Sequence, residues 1–392
     1  MGNETLINKT LSMKNLVYFL SAAMLVFGLN ACGGDSDSPA NKPIDPQPTP
    51  QNNQNPENQP TESTKTFVSG ADISWVTEQE ADGVKFYNSA GQERDCFALM
   101  KEIGMDAVRL RVWVDPQSYG YGAWSDKADV VAKAVRAKNA GLDVMIDFHY
   151  SDFFADPGRQ ETPKAWVGLS LDNLKQKVAE HTKDVLNALK AQGVTPKWVQ
   201  VGNETRNGMM WPTGQLWTDS GDTPNGWSNY VALTNAGYDA VKSVFTDAIV
   251  IIHLNNAWQD ADWWFKKYKE QGGKMDMIGL SHYPQTEADK TWMQVNQLAI
   301  NQIKTLANNY KVKVMVTEVG VKSANEVEAA KALNAFMDEA RKTDQCVGAF
   351  YWEPQVYGNW RPAYYIPLGW NAYDQGAFTS EGKPASCLDA FK

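Results

Sequence analysis

The chain has 392 residues, 43% apolar and 21% charged, which excludes wholesale disorder and collagen-like repeats and leaves room for two average domains or one large barrel. The 37 Lys and Arg against 46 Asp and Glu leave a net charge of −9, which argues against a nucleic-acid binder living on phosphate contacts. Four cysteines with no C-x-x-C spacing exclude a disulfide scaffold and a zinc ribbon, and the informative excess is aromatic, with all 15 Trp lying after residue 66.

In chain order, Lys14 opens an uncharged run to Ala31 whose apolar centre, Leu16 to Leu29, has the length of a signal-peptide core rather than of a membrane span. Met13 directly precedes Lys14, so translation is expected to start there, with residues 1–31 forming a signal peptide. The run ends in Leu29-Asn30-Ala31-Cys32-Gly33, which resembles the bacterial lipobox. That resemblance implies that Cys32 is lipidated and becomes the mature N-terminus of a membrane-anchored lipoprotein, in the outer membrane or at the cell surface of a Gram-negative-type bacterium. Residues 39–66 hold 7 of the 18 prolines and nine Asn or Gln, a composition that cannot offset its own ordering entropy. Residues 32–66 are therefore expected to be a tether, and residues 67–392 the folded domain, still acidic at a net −7. A strongly acidic polymer would suit such a domain poorly. A neutral one would not be repelled.

Within that domain, short β-rich runs alternate with longer amphipathic stretches eight times. Strands are expected at 66–74, 107–114, 142–148, 197–201, 249–254, 277–281, 313–317 and 346–351. Most are continuous apolar runs, as parallel strands buried on both faces require. Helical patterns include 127–140, 171–192, 227–245, 292–309 and 325–343, with Gly141 and Gly193 placed as helix C-terminal stops. Eight such units predict a single (β/α)₈ barrel. A doubly wound open sheet is the rival, but it usually offers a Gly-rich phosphate turn after strand one, where this chain reads Asp72-Ile73-Ser74-Trp75.

In a barrel, active sites gather at the C-terminal ends of the strands. Those ends carry Asp72 and Ser74; Arg109, Arg111 and Trp113; Asp147 and His149; Asn203 and Glu204; His253; His282 and Tyr283; Glu318; and Trp352 with Glu353. Glu204 ends strand four and Glu318 ends strand seven, so the two face each other across the barrel mouth. A single rim glutamate is more often a salt-bridge partner. An opposed pair is what cleavage of a glycosidic bond needs, one carboxyl to protonate the leaving oxygen and one to attack or to activate water.

Asn203-Glu204 with a Glu ending strand seven resembles the clan A glycoside hydrolases, in which the first Glu is the acid/base and the second the nucleophile. Gly70-Ala71-Asp72-Ile73-Ser74, Arg109-Leu110-Arg111-Val112-Trp113-Val114 and His149-Tyr150-Ser151-Asp152 running to Ala155-Asp156-Pro157 resemble, more narrowly, glycoside hydrolase family 53, the arabinogalactan endo-β-1,4-galactanases. So do Gly202-Asn203-Glu204 with Trp211-Pro212, Ser281-His282-Tyr283-Pro284 and Tyr351-Trp352-Glu353-Pro354. The likeness runs from about Phe67 to the C-terminus. It implies endo-hydrolysis of β-1,4-galactan with net retention, Glu204 as proton donor, Glu318 as nucleophile, and no cofactor or metal.

The same resemblance implies substrate-binding roles for Asp72, Arg109, Arg111, His149, Asn203, His282, Tyr283 and Trp352. Arg109 and Arg111 share one side of their strand by the period of two, and a fixed cation keeps a neighbouring carboxylate ionised. Asn203 corresponds to the clan residue that binds the sugar 2-hydroxyl, and the flat indole of Trp352 suits the apolar face of galactose. His282 departs from the family, where many members carry Tyr, and Trp75 stands where relatives have a smaller residue, as a stacking platform or as packing. Only about six residues separate Glu318 from the next helix, where some relatives have a long acidic loop that holds calcium, so the resemblance leaves a calcium site open here. Expected partners are the polysaccharide and, through lipid, a membrane; nucleic acid is excluded, and the chain is expected to act as a monomer. Alternatives are another clan A mannanase or cellulase, a metal-dependent barrel hydrolase, which usually needs an H-x-H pair absent from strand one, and a surface glycan-binding lipoprotein.

Overall fold

Eight strands pair in parallel around a closed ring in the computed structural model, which describes residues 67–392 except 121, 286–288, 323 and 325. The signal peptide, Cys32 and the linker lie outside the described residues. The strands are β1 (Val68–Asp72), β2 (Ala107–Val112), β3 (Asp143–Phe148), β4 (Trp198–Val201), β5 (Ile249–Leu254), β6 (Met277–His282), β7 (Lys313–Val319) and β8 (Cys346–Trp352). Each pairs with its sequence neighbours, and β1 closes the ring against β8. This is the expected (β/α)₈ barrel. Boundaries differ from the sequence expectation by a residue or two, because the apolar run overshoots the hydrogen-bonded ladder at β1 and β2 and stops short of it at β6, β7 and β8.

The surrounding helices are α1 (Val76–Ala81), α2 (Cys96–Glu102), α3 (Lys127–Asn139), α4 (Leu171–Ala191), α5 (Gly226–Val244), α6 (Asp262–Glu270), α7 (Trp292–Tyr310) and α8 (Val327–Arg341). Their starts follow local chemistry. Asp126 and Ser170 accept the N-terminal amides of α3 and α4, and Thr291 with Gln294 forms a capping box on α7. Gly141 and Gly193 follow the last turns of α3 and α4 in the left-handed conformation, φ 72° and 65°, as helix-stopping glycines do. The three helices that the sequence pattern does not single out, α1, α2 and α6, are the short ones, of six, seven and nine residues, too few turns for a long periodic stretch.

Strand alternation sorts the barrel interior into layers. Ala107, Met145, Trp198, Ile251, Met277, Met315 and Phe350 point inward near the strand beginnings and form a closed apolar plug. Two residues further along each strand, the inward positions turn polar: Arg109, Asp147, Gln200, His253 and, after Gly279, Ser281. On β7 this alternation would put Thr317 inward and Glu318 outward. A register irregularity corrects it, since Leu280 pairs with Val316 but Ser281 pairs with Glu318. The extra residue is a bulge that swings Glu318 back to the interior.

Candidate active site

The polar layer opens into a cleft of about 260 Å³ at the C-terminal mouth of the barrel. Its floor and flanks are His149, Asn203, Glu204, Tyr283 and Glu318, and its walls are Phe154, Ala155, Asp156, Trp352, Tyr365 and Trp370. Glu204 follows Gly202, whose φ of 86° only glycine adopts without strain, and itself sits in the left-handed region at φ 48°. A non-glycine residue there costs on the order of 1–3 kcal/mol, so packing must hold the turn that aims the carboxyl at the cleft.

Ser281 Oγ lies 2.6 Å from Glu204 Oε1 and 3.4 Å from Glu318 Oε2, so those two oxygens are at most about 6 Å apart, the sum of the two contacts. Inverting glycosidases hold their carboxyls roughly 6.5–9.5 Å apart to admit a water, and retaining ones about 5–5.5 Å. The separation here falls short of the inverting range. Arg109 sets the charge of the pair. Its Nη2 is 2.9 Å from Glu318 Oε1 and 2.8 Å from Asp147 Oδ2, while Nη1 is 2.7 Å from Asp72 Oδ2, all within the buried interior. Tyr283 donates its hydroxyl to Glu318 Oε2 at 3.0 Å.

Burial raises both glutamates above the usual carboxylate range, and they differ in what opposes it. For Glu318 the Arg109 guanidinium is the main counterweight, with the Tyr283 hydrogen bond assisting, against further upward pressure from Asp147 and Asp72. For Glu204 the Glu318 charge adds to burial, and the carboxyl rises to about 8. At neutral pH the pair therefore keeps one proton, on Glu204, with the negative charge on Glu318 beside Arg109.

Several residues expected at the substrate do something else. Asp72 is fully buried and accepts from Arg109 Nη1 and from the Ser74 hydroxyl at 2.6 Å; it anchors the arginine and does not line the cleft. Arg111 reaches Glu353, 2.8 Å away, rather than the nucleophile position. His282 points out of the barrel, because Ser281 before it and Tyr283 after it point in; its Nε2 bonds Asn296 at 2.7 Å and its ring packs on Phe336. Burial holds that imidazole at about 4, hence neutral. Trp75 is packing: its indole donates to the Tyr364 hydroxyl at 2.6 Å beneath Trp352. His149 does line the cleft, but Nδ1 accepts from the Ala155 amide and Nε2 donates to Asp147, so both ring nitrogens are engaged. Asn203 also lines it, held by Arg109, Gln200 and the Ala155 carbonyl.

Sequence reasoning passed over Phe154, Tyr365 and Trp370 as individuals, although the loops that carry them (149–170 and 353–383) are long and aromatic, the usual mark of cleft walls. His253 stands out in the sequence only as a strand-end residue, and Ser281 only within the Ser281-His282-Tyr283-Pro284 motif. The three strand-end histidines do not converge, and among the described residues no group of three His, Cys, Asp or Glu is placed to hold a metal ion. Cys96, Cys346 and Cys387 are buried free thiols.

A barrel whose mouth holds two such carboxylates, one protonated and one pinned by arginine, is the apparatus of a glycoside hydrolase. The sequence profile of glycosyl hydrolase family 53 matches residues 68–391, and the chain belongs to that family. It is 33% identical to an endo-β-1,4-galactanase of Bacillus subtilis, over 84% of this chain and 80% of that one. To an arabinogalactan endo-β-1,4-galactanase of Thermothelomyces thermophilus it is 32% identical, over 82% of this chain and 98% of the other. Among solved structures, the catalytic domain of an Ignisphaera aggregans family 53 protein superposes with a TM-score of 0.73 at 27% identity, covering 86% of this chain and 98% of its own. A fungal β-1,4-galactanase superposes at 0.71, also at 27% identity, covering 83% and 98%.

Proposed function

We propose that the protein hydrolyses β-1,4-linked galactan within the chain, by double displacement with retention. The observation that carries this reading is the Glu204–Glu318 pair, bridged by Ser281 and polarised by Arg109; the galactanase relatives supply the substrate class. Glu318 attacks the anomeric carbon while Glu204 gives its proton to the leaving oxygen, forming a glycosyl ester on Glu318. Esterification removes the Glu318 charge, the pKa of Glu204 falls, and Glu204 then takes a proton from the incoming water. Asn203 faces the 2-hydroxyl, and Trp352, Tyr365 and Trp370 offer flat faces to successive sugars. The net charge of −7 on residues 67–392 is tolerable for a neutral polymer.

Product profiling on galactan, mannan, xylan and cellulose tests the substrate: short galacto-oligosaccharides are expected from galactan first, and faster cleavage of mannan would move the protein to another clan A class. Proton NMR of the first product tests the stereochemistry, an initial β-anomer being expected. We further propose that Cys32 is lipidated and that residues 33–66 tether the domain to a membrane, on the strength of the lipobox and the Pro/Asn/Gln composition. Cys32→Ala is expected to shift the protein from the membrane to the soluble fraction, and continued membrane partitioning would refute the anchor.

A further inference from the structure

Behind the two glutamates lies a hydrogen-bonded chain that nothing in the reaction scheme above uses. His253 is fully buried on β5, and burial with the nearby Arg109 charge drives its pKa well below the usual value, so the ring is neutral. Its Nδ1 receives the Glu204 backbone amide at 3.3 Å and the Gln200 side-chain amide at 3.0 Å. Asn203 Oδ1, 3.1 Å from the same nitrogen, is already taken by Arg109 and Gln200. With Nδ1 accepting, the ring proton sits on Nε2, which donates to Ser281 Oγ at 2.8 Å. Ser281 therefore has its oxygen fixed from behind and its own proton free to turn. In front of it stand two acceptors among the described residues, Glu204 Oε1 at 2.6 Å and Glu318 Oε2 at 3.4 Å.

A hydroxyl has one proton and a bond to a charged acceptor is about twice as strong as a neutral one, so that proton follows the charge. We propose that Ser281, held by His253, is a positioning residue whose hydroxyl proton turns toward whichever of Glu204 and Glu318 is ionised as the two exchange charge in turnover. This rests on the roles assigned to the two glutamates above. In the resting enzyme Glu318 is the anion, and Ser281 donates to it while accepting from His253 and from the Glu204 carboxylic acid. When the Glu318–anomeric carbon bond forms and the glycosidic bond breaks, the Glu204 proton leaves with the departing sugar oxygen. Glu204 is then the anion, and the hydroxyl rotates to it. Water next bonds to the anomeric carbon, its proton returns to Glu204, the ester bond to Glu318 breaks, and the hydroxyl swings back. No proton passes through Ser281 or His253; only the hydroxyl rotates.

The other charged groups facing the pair are Arg109 from β2, Asp72 from β1, Asp147 from β3, Asp156 from the following loop and Arg206 beyond Glu204. Tyr283, Tyr373 and, in the cleft lining beside Asp147, His149 are the titratable neighbours. All of them stay in place when the Ser281 hydroxyl alone is removed. Ser281→Ala and Ser281→Thr in the full chain, assayed with aryl β-1,4-galactobiosides bearing good and poor leaving groups, provide the test. Ser281→Ala is expected to slow glycosylation and deglycosylation alike, each by about tenfold or more, the loss of one charge-assisted hydrogen bond in each step. It should also move the acid limb of the pH profile of kcat/KM to higher pH, since Glu318, the anion of the resting enzyme, loses its donor; Ser281→Thr should restore the rates and the limb. Slowing of one step alone, or a lower rate with the acid limb unmoved, overturns the proposal. If Glu204→Ala or Glu318→Ala keeps wild-type activity on the same substrates, the assignment of the glutamates fails instead, whatever Ser281→Ala does.

Discussion

Two arginines two residues apart on β2, Arg109 and Arg111, each sit about 1% exposed against a glutamate, yet only one of those glutamates lines the cleft. Arg109 faces Glu318, which borders the cavity. Arg111 faces Glu353 inside a shell of aromatic rings, its guanidinium carbon 5.1 Å from the Trp75 ring, 5.3 Å from Trp113 and 4.8 Å from Phe154. Glu353 also accepts the Trp75 amide and the Gln355 side chain, and nearby Glu78 accepts the Ala363 amide. That sealed cluster ties the long loop after β8, which carries Tyr365 and Trp370, to the end of β1. Burial and charge are thus alike in the two places, with Glu78 and Glu353 both raised to about 7 by burial. Access separates them: one arginine polarises a group that meets the substrate, the other fastens the wall beside it.

The sharpest way to break this contrast is to neutralise one glutamate in each place. Glu318→Gln is expected to lower kcat by on the order of 10⁴-fold or more with the fold intact, as removal of a nucleophile does. Glu353→Gln should lower kcat less than tenfold and change stability by only about 1 kcal/mol, because burial already favours the neutral form of Glu353 and Gln keeps its shape while replacing one hydrogen bond. Steady-state kinetics and urea unfolding on both variants separate the two effects. An inactive but fully stable Glu353→Gln would place the second cluster in catalysis.

Next in size is Glu204→Ala, expected to slow galactan cleavage by about 10²–10⁴-fold, while azide speeds turnover of a substrate with a good leaving group. Trp75→Ala should cost about 3–5 kcal/mol as a buried truncation with little change in KM. Trp370→Ala, on a side chain 38% exposed, should raise KM on galactan severalfold and leave the unfolding midpoint nearly unchanged.

The smallest expected effects are in pH. The alkaline limb of activity should fall as pH rises through about 8, where Glu204 loses its proton. Stability has the same sign in both clusters. Carboxyls raised in the folded state bind more protons there than in the unfolded chain, so stability is greatest below the unfolded value of 4.5 and declines as pH rises toward about 7 for Glu78 and Glu353 and about 8 for Glu204. Glu78→Gln should remove part of that slope, raising Tm more at pH 8 than at pH 5. An unchanged slope would show that Glu78 titrates normally.

The sequence by itself determined the barrel, because parallel strands covered on both faces read as unbroken apolar runs, and eight of them alternate with amphipathic stretches. It also determined the two glutamates, since position at the ends of strands four and seven is a matter of chain order. Tertiary structure alone decided which way neighbouring residues face. Alternation sends His282 outward to Asn296 and Phe336 while Ser281 and Tyr283 point in, and a bulge in β7 turns Glu318 inward where a regular strand would present Thr317. It decided, too, that Asp72 serves Arg109, that Arg111 serves Glu353, and that His253 and Ser281 stand behind the acid/base. These partners lie tens to hundreds of residues away along the chain, and a hydrogen bond depends on ångström distances that only barrel closure sets.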